Sequence, residues 1–187
     1  VQGSEADDRE LLLARHRINT GGFSGRASLK VPAESGREDL TALPTVLLQG
    51  WGAKDAPLLP AVSLEALEGG AQRLWVHTPS VAERLALESP LERWLRQQGE
   101  ALSLGSSWIS LLPGTLHKAA ALAAGKSQDA LSVALDLSAD GSVQHFRFCR
   151  SQVQVDGVLD RKGLAALLAR KPKARSTPAA LKSLKEH

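Results

Sequence analysis

Arg37 to Leu67 reads R-E-D-L-T-A-L-P-T-V-L-L-Q-G-W-G-A-K-D-A-P-L-L-P-A-V-S-L-E-A-L, and the fold follows from how this stretch divides. Thr45 to Leu48 is a short β-branched and aliphatic run, the pattern of a buried strand. Gly50 to Pro60 holds Gly50, Gly52, Pro57 and Pro60, which leave little room for regular structure, so it reads as a loop. Ala61 to Leu67 is a second strand with Val62 and Leu64 prominent. Gly69-Gly70 then turns the chain into Arg73-Leu74-Trp75-Val76-His77, and the pair reads as a hairpin.

Toward the C-terminus, Ala130 to Leu137 alternates, with Leu131, Val133, Leu135 and Leu137 on one side. Ser138-Ala139-Asp140-Gly141 supplies turn chemistry and Val143 to Cys149 returns, which predicts a further hairpin. Val153 and Val155 suggest a third strand beside it. Helices punctuate the strands. Glu5 to Arg17 reads as a short helix with acids near its start, where the dipole favours them. Ser80-Val81-Ala82-Glu83 has capping-box spacing, ahead of a short helix. Ser89-Pro90-Leu91-Glu92 does too, and Leu91, Trp94 and Leu95 follow as an apolar stripe ending at Gly99. Thr115 to Ala124 is helical by propensity. Asp160 can cap a helix carrying Leu164, Leu167 and Leu168 that stops before Pro172. Leu102 to Pro113 reads as irregular or extended backbone, Lys171 to Thr177 as a basic linker, and Thr177-Pro178 as the start of a last helix with Leu181 and Leu184. The fold class expected is α+β: a mixed, mostly antiparallel sheet of hairpins with helices packed on one side. The organisation expected is an N-terminal helix and linker (1–34), a central domain (35–170) and a basic C-terminal linker and helix (171–187).

With 187 residues, 43% of them hydrophobic, the chain can bury a real core. No apolar run is long enough to span a membrane and no signal peptide is visible. The absence of Met reads as an internal or processed start at Val1. The lone Cys149 cannot form an internal disulfide, which fits a reducing compartment, and reads as a small buried hydrophobe on a strand; the location expected is cytoplasmic. The net charge of +3 is uneven. Arg161 to His187 carries eight Lys/Arg against Glu186 alone, a net of +7 that leaves the rest of the chain near −4. Such an end suits a polyanion or an acidic partner, or is simply a solvated helical face.

Several segments in order resemble one known family. Arg37-Glu38-Asp39-Leu40 resembles an R-x-D-L entry, and Arg73 to Val81 a strand L-W-V-H-I-A-D-V. Ser89-Pro90-Leu91 is similar to a G-S-P-L-D helix start. Leu95 to Pro113 aligns without a gap on A-R-R-R-G-T-S-x-Y-L-P-x-x-x-I-P-M-L-P, keeping Arg96, Gly99, Leu112 and Pro113. Ala130-Leu131-Ser132, Asp136 and Asp140-Gly141 match an A-L-S-x-x-x-x-L-D-x-D-G hairpin, and Asp160 to Ala169 resembles L-S-Y-E-x-A-x-x-L-L. Together, over residues 35–185, these resemble the RNB family of exoribonucleases, RNase II and RNase R. The resemblance implies 3′-end hydrolysis of RNA on magnesium held by aspartates. It also implies a longer complete domain, whose second half adds RNA contacts and an arginine that assists catalysis. The chain is thus either a natural short relative or a piece of a larger protein.

The carboxylates are what the resemblance leaves wanting. On the family pattern D-x-D-D-A-x-S, Ala61-Val62-Ser63 aligns with A-x-S, and Leu59 and Pro60 stand where two adjacent aspartates would. Asp55 is the one acid near the motif, an earlier aspartate falls near Gln49, and the segment is about two residues longer than in the enzymes. Magnesium demands several hard oxygen ligands, which one carboxylate cannot supply. The aspartate of I-A-D-V becomes Ser80, and the tyrosine that stacks near the RNA end becomes Ser103. Trp51 and Trp108, in loop-like sequence, are candidates for base stacking, with packing the plainer reading. The five histidines have no metal spacing, and His77 reads as a hydrogen-bonded structural residue.

Three functions are therefore in view. The first is a catalytically inactive RNB-like module that binds RNA or a protein and regulates RNA processing. Its RNA contacts would be Arg170, Lys171, Lys173, Arg175, Lys182, Lys185 and Arg96, through phosphate neutralisation, with no cofactor, no membrane and no DNA specificity. The second is an active Mg²⁺-dependent exoribonuclease using Asp55, Asp39 and further acids. The third is a protein-interaction or assembly factor without RNA binding.

Overall fold

The computed structural model describes residues 4–50, 55–105 and 107–169. Its strands are β1 (Glu38–Asp39), β2 (Thr45–Gln49), β3 (Ala61–Ala66), β4 (Gln72–Pro79), β5 (Leu102–Leu104), β6 (Ser107–Ile109), β7 (Ser127–Leu137), β8 (Val143–Gln154) and β9 (Gly157–Asp160). Its helices are α1 (Glu5–Arg15), α2 (Pro90–Gln98), α3 (Gly114–Ala120) and α4 (Arg161–Ala169). Seven strands form one sheet in the order β1-β8-β7-β4-β3-β2-β9, and β5-β6 form a separate hairpin. Pairing is antiparallel except for β1 on β8 and β9 on β2. This is the mixed, mostly antiparallel α+β sheet that the hairpin signals predict.

The β3-β4 hairpin pairs from Ala61↔His77 to Ala66↔Gln72. The β7-β8 turn is set by its own side chains. The Asp140 carboxylate accepts from the Ser138 hydroxyl and the Ser142 amide, and Gly141, at φ 84°, takes the left-handed conformation that a side chain would resist. Ser89 accepts from the Glu92 amide as the N-cap of α2, and Gly99 ends that helix at φ 75°. The Glu92 side chain, however, turns to Arg96 rather than back to Ser89, so the box is half made.

Three expectations are corrected. Ala82–Arg84 is only a 3₁₀ turn, because the Ser80 hydroxyl bonds the Glu83 carboxylate instead of capping backbone. The helix expected over Thr115 to Ala124 stops at Ala120. There Gln128 takes the peptide groups of the next turn: its Oε1 accepts from the Ala123 amide at 2.6 Å and its Nε2 donates to the Ala121 carbonyl at 2.9 Å. Val153 and Val155 do not start a new strand beside the hairpin; β8 runs through Val153 to Gln154. The chain then crosses to the far edge of the sheet, since the Asp156 carboxylate and amide both bind the Thr45 peptide group. The basic linker, the last helix and Trp51 lie outside the described residues.

Register places Thr45, Ala61, Ser63, Trp75, His77, Ala130, Ser132, Ala134 and Ser151 on one face, all buried. Leu40, Leu122, Val153 and Val155 complete the core against it. The other face carries Val62, Leu64, Leu74, Val76, Leu131, Val133, Leu135, Phe146 and Phe148. Phe146 and Phe148 there are 60% and 64% exposed.

Candidate functional site

The loop that the resemblance marks as the metal site joins β2 to β3, and the Leu48 amide donates to the Pro60 carbonyl where they meet. Asp55 is exposed and held at φ 64°, a conformation Asp tolerates better than most residues. It lies on the rim between two cavities. One, of about 440 Å³, is lined by Leu47, Leu58, Leu59, Leu122 and His117. The other, of about 320 Å³, is lined by Arg9, Asn19, Trp94, Gln98 and Trp108. Gln49 sits beside Asp160 in the β2-β9 ladder, but the Asp160 carboxylate caps α4 by accepting from the Gly163 amide at 2.6 Å. Among the described residues no group of three or more His, Cys, Asp or Glu is placed to hold a metal. A magnesium ion does not fit this donor set: Leu59 and Pro60 offer no side-chain oxygen, and Asp160 is engaged with backbone.

The other acids of the entry motif hold structure. Asp39 accepts from both the amide and the hydroxyl of Thr41, and that hydroxyl keeps its carboxyl below the ordinary range. Arg37 is buried. It donates to the Ala33 carbonyl and pairs with Glu83 at 2.8 Å and Asp129 at 3.2 Å, pinning the β1 entry to β7. Burial would raise Glu83, but the Ser80 hydroxyl and Arg37 outweigh it and hold its carboxyl low. Beside it Arg147 forms two 2.7 Å bonds to Glu38, and farther along the sheet Arg73 binds Asp136; each guanidinium lowers its carboxylate partner. Both guanidiniums lie over Trp75, at 4.9 and 5.9 Å from the ring centroid. Cys149 sits partly buried beside Glu38, and burial pushes its thiol up, which suits the inert role expected.

Across the buried face runs a row of polar side chains, one from each of five strands. Thr45 Oγ1 donates to the Leu43 carbonyl at 2.9 Å and is 2.7 Å from Ser63 Oγ. Ser63 Oγ is 2.9 Å from His77 Nε2, His77 Nδ1 is 2.7 Å from Ser132 Oγ, and Ser132 is 2.6 Å from Ser151 Oγ. Proton counting fixes the direction. Thr45 spends its hydrogen on Leu43, so Ser63 donates to Thr45 and accepts from Nε2–H. Nδ1 then accepts from Ser132, and Ser151 divides its one hydrogen between Ser132 and the Ala130 carbonyl at 3.4 Å. Burial lowers the His77 pKa to about 4, so the ring is neutral and this tautomer satisfies it. The structural histidine expected at position 77 is what the fold contains. The row was legible in principle, since all five residues share one parity on paired strands, but only once the register was known.

Of the residues singled out in the sequence, Asp55 borders both cavities. Arg96 is exposed but already paired with Glu92 and Glu88. Ser103 lies in a separate cleft of about 880 Å³ between α1 and the β5-β6 hairpin. Trp108 lines the 320 Å³ cavity. Arg170, Lys171, Lys173, Arg175, Lys182 and Lys185 lie outside the described residues. Sequence reading missed Arg9 and Asn19, which nothing in their local pattern ties to Trp108.

Comparison with known proteins places this geometry. Residues 37–187 match the model of the RNB domain. Ribonuclease R of Escherichia coli K12 is 37% identical over 84 residues, 45% of this chain and 10% of that protein. Ribonuclease R of Vibrio cholerae is 34% identical over 84 residues, with the same coverage. This chain therefore spans about a tenth of the curated relatives it matches. Among solved structures, Mycoplasma genitalium RNase R in complex with ribose-methylated single-stranded RNA superimposes with a TM-score of 0.69 at 16% identity, covering 82% of this chain and 23% of that one. Yeast Ssd1, a pseudonuclease, superimposes with a TM-score of 0.67 at 21% identity, covering 85% and 20%.

Proposed function

This chain belongs to the RNB domain family, and on that premise we propose that it is a catalytically inactive RNB module that binds RNA and modulates RNA processing. One observation carries the reading. The family's frame is kept from the buried Arg37 through the Ala61–Pro79 hairpin, while the loop between them offers Asp55 alone. Leucine and proline in place of carboxylates remove both the charge and the oxygens that would polarise a phosphoryl group. The likeness to an RNase R bound to single-stranded RNA and to a pseudonuclease supports RNA as partner and lost catalysis as precedent. The basic run Arg170, Lys171, Lys173, Arg175, Lys182 and Lys185 supplies phosphate contacts, with Arg96 joining once it exchanges Glu92 for phosphate. The lone thiol fits a reducing, cytoplasmic setting. The test is incubation with Mg²⁺ and 5′-labelled single-stranded RNA. No shortening is expected; progressive trimming from the 3′ end ends the reading in favour of an active exoribonuclease.

A second reading, a protein-interaction factor, is favoured by the open apolar sheet face around Phe146 and Phe148, since contiguous patches of this kind mark contact surfaces. It predicts no mobility shift of RNA at low salt.

A further inference from the structure

We propose that the outer edge of β8 pairs antiparallel with the same edge of a second copy of this chain, about a two-fold axis at Phe146. The inference goes beyond both readings above, since it needs neither RNA nor a foreign protein.

β8 is 12 residues long, and β7 pairs along its inner side from Val143 to Gln154. Its outer side meets β1 only at Ser151 and Gln152. Among the described residues no other strand lies against Val143–Cys149 on that side. The Gln152 carbonyl accepts from the Leu40 amide, so it faces outward. Backbone groups alternate along a strand, so the N–H and C=O of Phe146 and Phe148 face outward too. An open edge of this length is a template for another strand. The opposite edge of the sheet is β9, only 4 residues long, which is how exposed edges are usually kept safe.

Three features select a second copy as the occupant. The first is self-complementarity. The open stretch Val143–Cys149 is centred on Phe146, so an antiparallel pair about that residue matches the stretch to itself, as an isologous contact requires. Opposed side chains then share a face, and Phe146 and Phe148 of both copies meet on the apolar side, where the rings are 60% and 64% exposed. The second is charge. His145 would lie against Arg147 of the second copy, but each brings its own carboxylate: Arg147 makes two 2.7 Å bonds to Glu38, and His145 is 3.8 Å from Asp136. The bulge that can guard an edge sits at the start of the strand, at the Asp136–Leu137 register shift, away from the axis. The third is area. The exposed parts of the two rings come to about 250 Å² per copy, taking roughly 200 Å² for a whole ring. With the strand backbones added, two copies reach the low end of specific interfaces, so a weak, concentration-dependent dimer is expected.

The test is sedimentation velocity of the whole chain from micromolar to several hundred micromolar. Wild type is expected to move from monomer toward dimer over that range. Phe146→Lys and Phe146→Asp each set like charges face to face across the axis, and each alone is expected to lose the dimer. An equimolar mixture of the two is expected to restore it, because the introduced charges are then opposite. Phe148→Pro removes an outward N–H and no bond to β7; it is expected to block pairing, and serves if the charged variants fail to fold by circular dichroism. Wild type that stays monomeric at every concentration overturns the proposal and leaves the apolar face to a foreign protein. Dimers that persist in folded Phe146→Lys and Phe148→Pro, or a mixture that does not restore them, overturn the edge pairing. Neither result bears on RNA binding, which the incubation with labelled RNA and its mobility shift test separately.

Discussion

On one side of the seven-stranded sheet β7 presents Ala130, Ser132 and Ala134, all buried; on the other it presents Leu131, Val133 and Leu135, all partly or largely exposed. Neighbouring strands repeat the contrast. His77 and Trp75 are covered while Val76 and Leu74 are only half so; Ser151 is covered while Phe146 and Phe148 stand open. Apart from Val46, which is fully buried on the apolar side where β2 lies between β3 and β9, the more hydrophobic face is the less buried one. Two physical reasons make the covered face stable all the same. Its alanines and serines are small, so Leu40, Leu122 and Val155 can approach the backbone closely. Its polar groups satisfy one another across five strands, so their burial costs little. The difference teaches that apolar content sorts residues onto sides of a sheet, whereas residue size and polar pairing decide which side can be covered tightly.

Acid should expose the weak point of the covered face. His77 is neutral there with a pKa of about 4, against 6.5 for the ordinary group. The unfolded chain therefore binds a proton that the folded chain refuses as pH falls below 6.5, and stability drops through that window. The loss approaches about 3 kcal/mol near pH 4, by the usual 1.36 kcal/mol per unit. The partnered carboxylates Glu38 and Asp136, held low by Arg147 and Arg73, act in the same direction but only below the ordinary carboxylate range. Urea unfolding from pH 7 to pH 5 separates the two. His77→Gln keeps a donor and an acceptor and does not titrate, so its slope over that range should be flatter than that of wild type. An equal slope would place the titration elsewhere and remove His77 from the account.

A bulkier side chain on the same face tests the size argument. Ala134 is 2% exposed and sits in the core cluster with Trp75 and Ala130. Ala134→Leu adds three carbons where neighbouring side chains are packed, which costs roughly 1–3 kcal/mol by overpacking. Leucine one residue along, Val133→Leu, adds a single carbon on the open side and should leave the urea midpoint nearly unmoved. Comparable losses at both positions would mean that the open side is packed as tightly as the covered one.

Much of this was legible in the chain itself. Alternation in Ala130–Leu137, the Asp140-Gly141 turn and the Gly69-Gly70 turn specified the hairpins, because period and turn chemistry are local. The helix ends were less so. Thr115–Ala124 reads as helix by propensity, and only the distant Gln128 shows why it stops early. The crossing of the chain from β8 to β9 was hidden for the same reason, since it depends on Asp156 meeting Thr45 across 111 positions. At the candidate site, the erased carboxylates were plain from residues 55–63. The cavity that Arg9, Asn19 and Trp94 build with Trp108 was not, because it joins four segments that no local pattern links.

The open face offers the smallest expected effect on stability and the sharpest contrast in behaviour. Phe146 and Phe148 touch edge to face, with centroids 6.0 Å apart at 84°, so each ring is shielded mainly by the other and by Val133 and Leu135 in register beside them. Replacing both with serine removes little buried area and should shift the unfolding free energy by roughly 0.5 kcal/mol or less, as for ordinary surface changes. Binding of a hydrophobic dye to the native protein should fall together with any self-association seen by light scattering, because the removed rings make up the most exposed part of the patch. If the double variant instead unfolds at much lower urea, those rings are buried by something in solution, and the face is a covered surface like its opposite. Unchanged stability with reduced dye binding would establish that one sheet carries a closed polar side and an open apolar one.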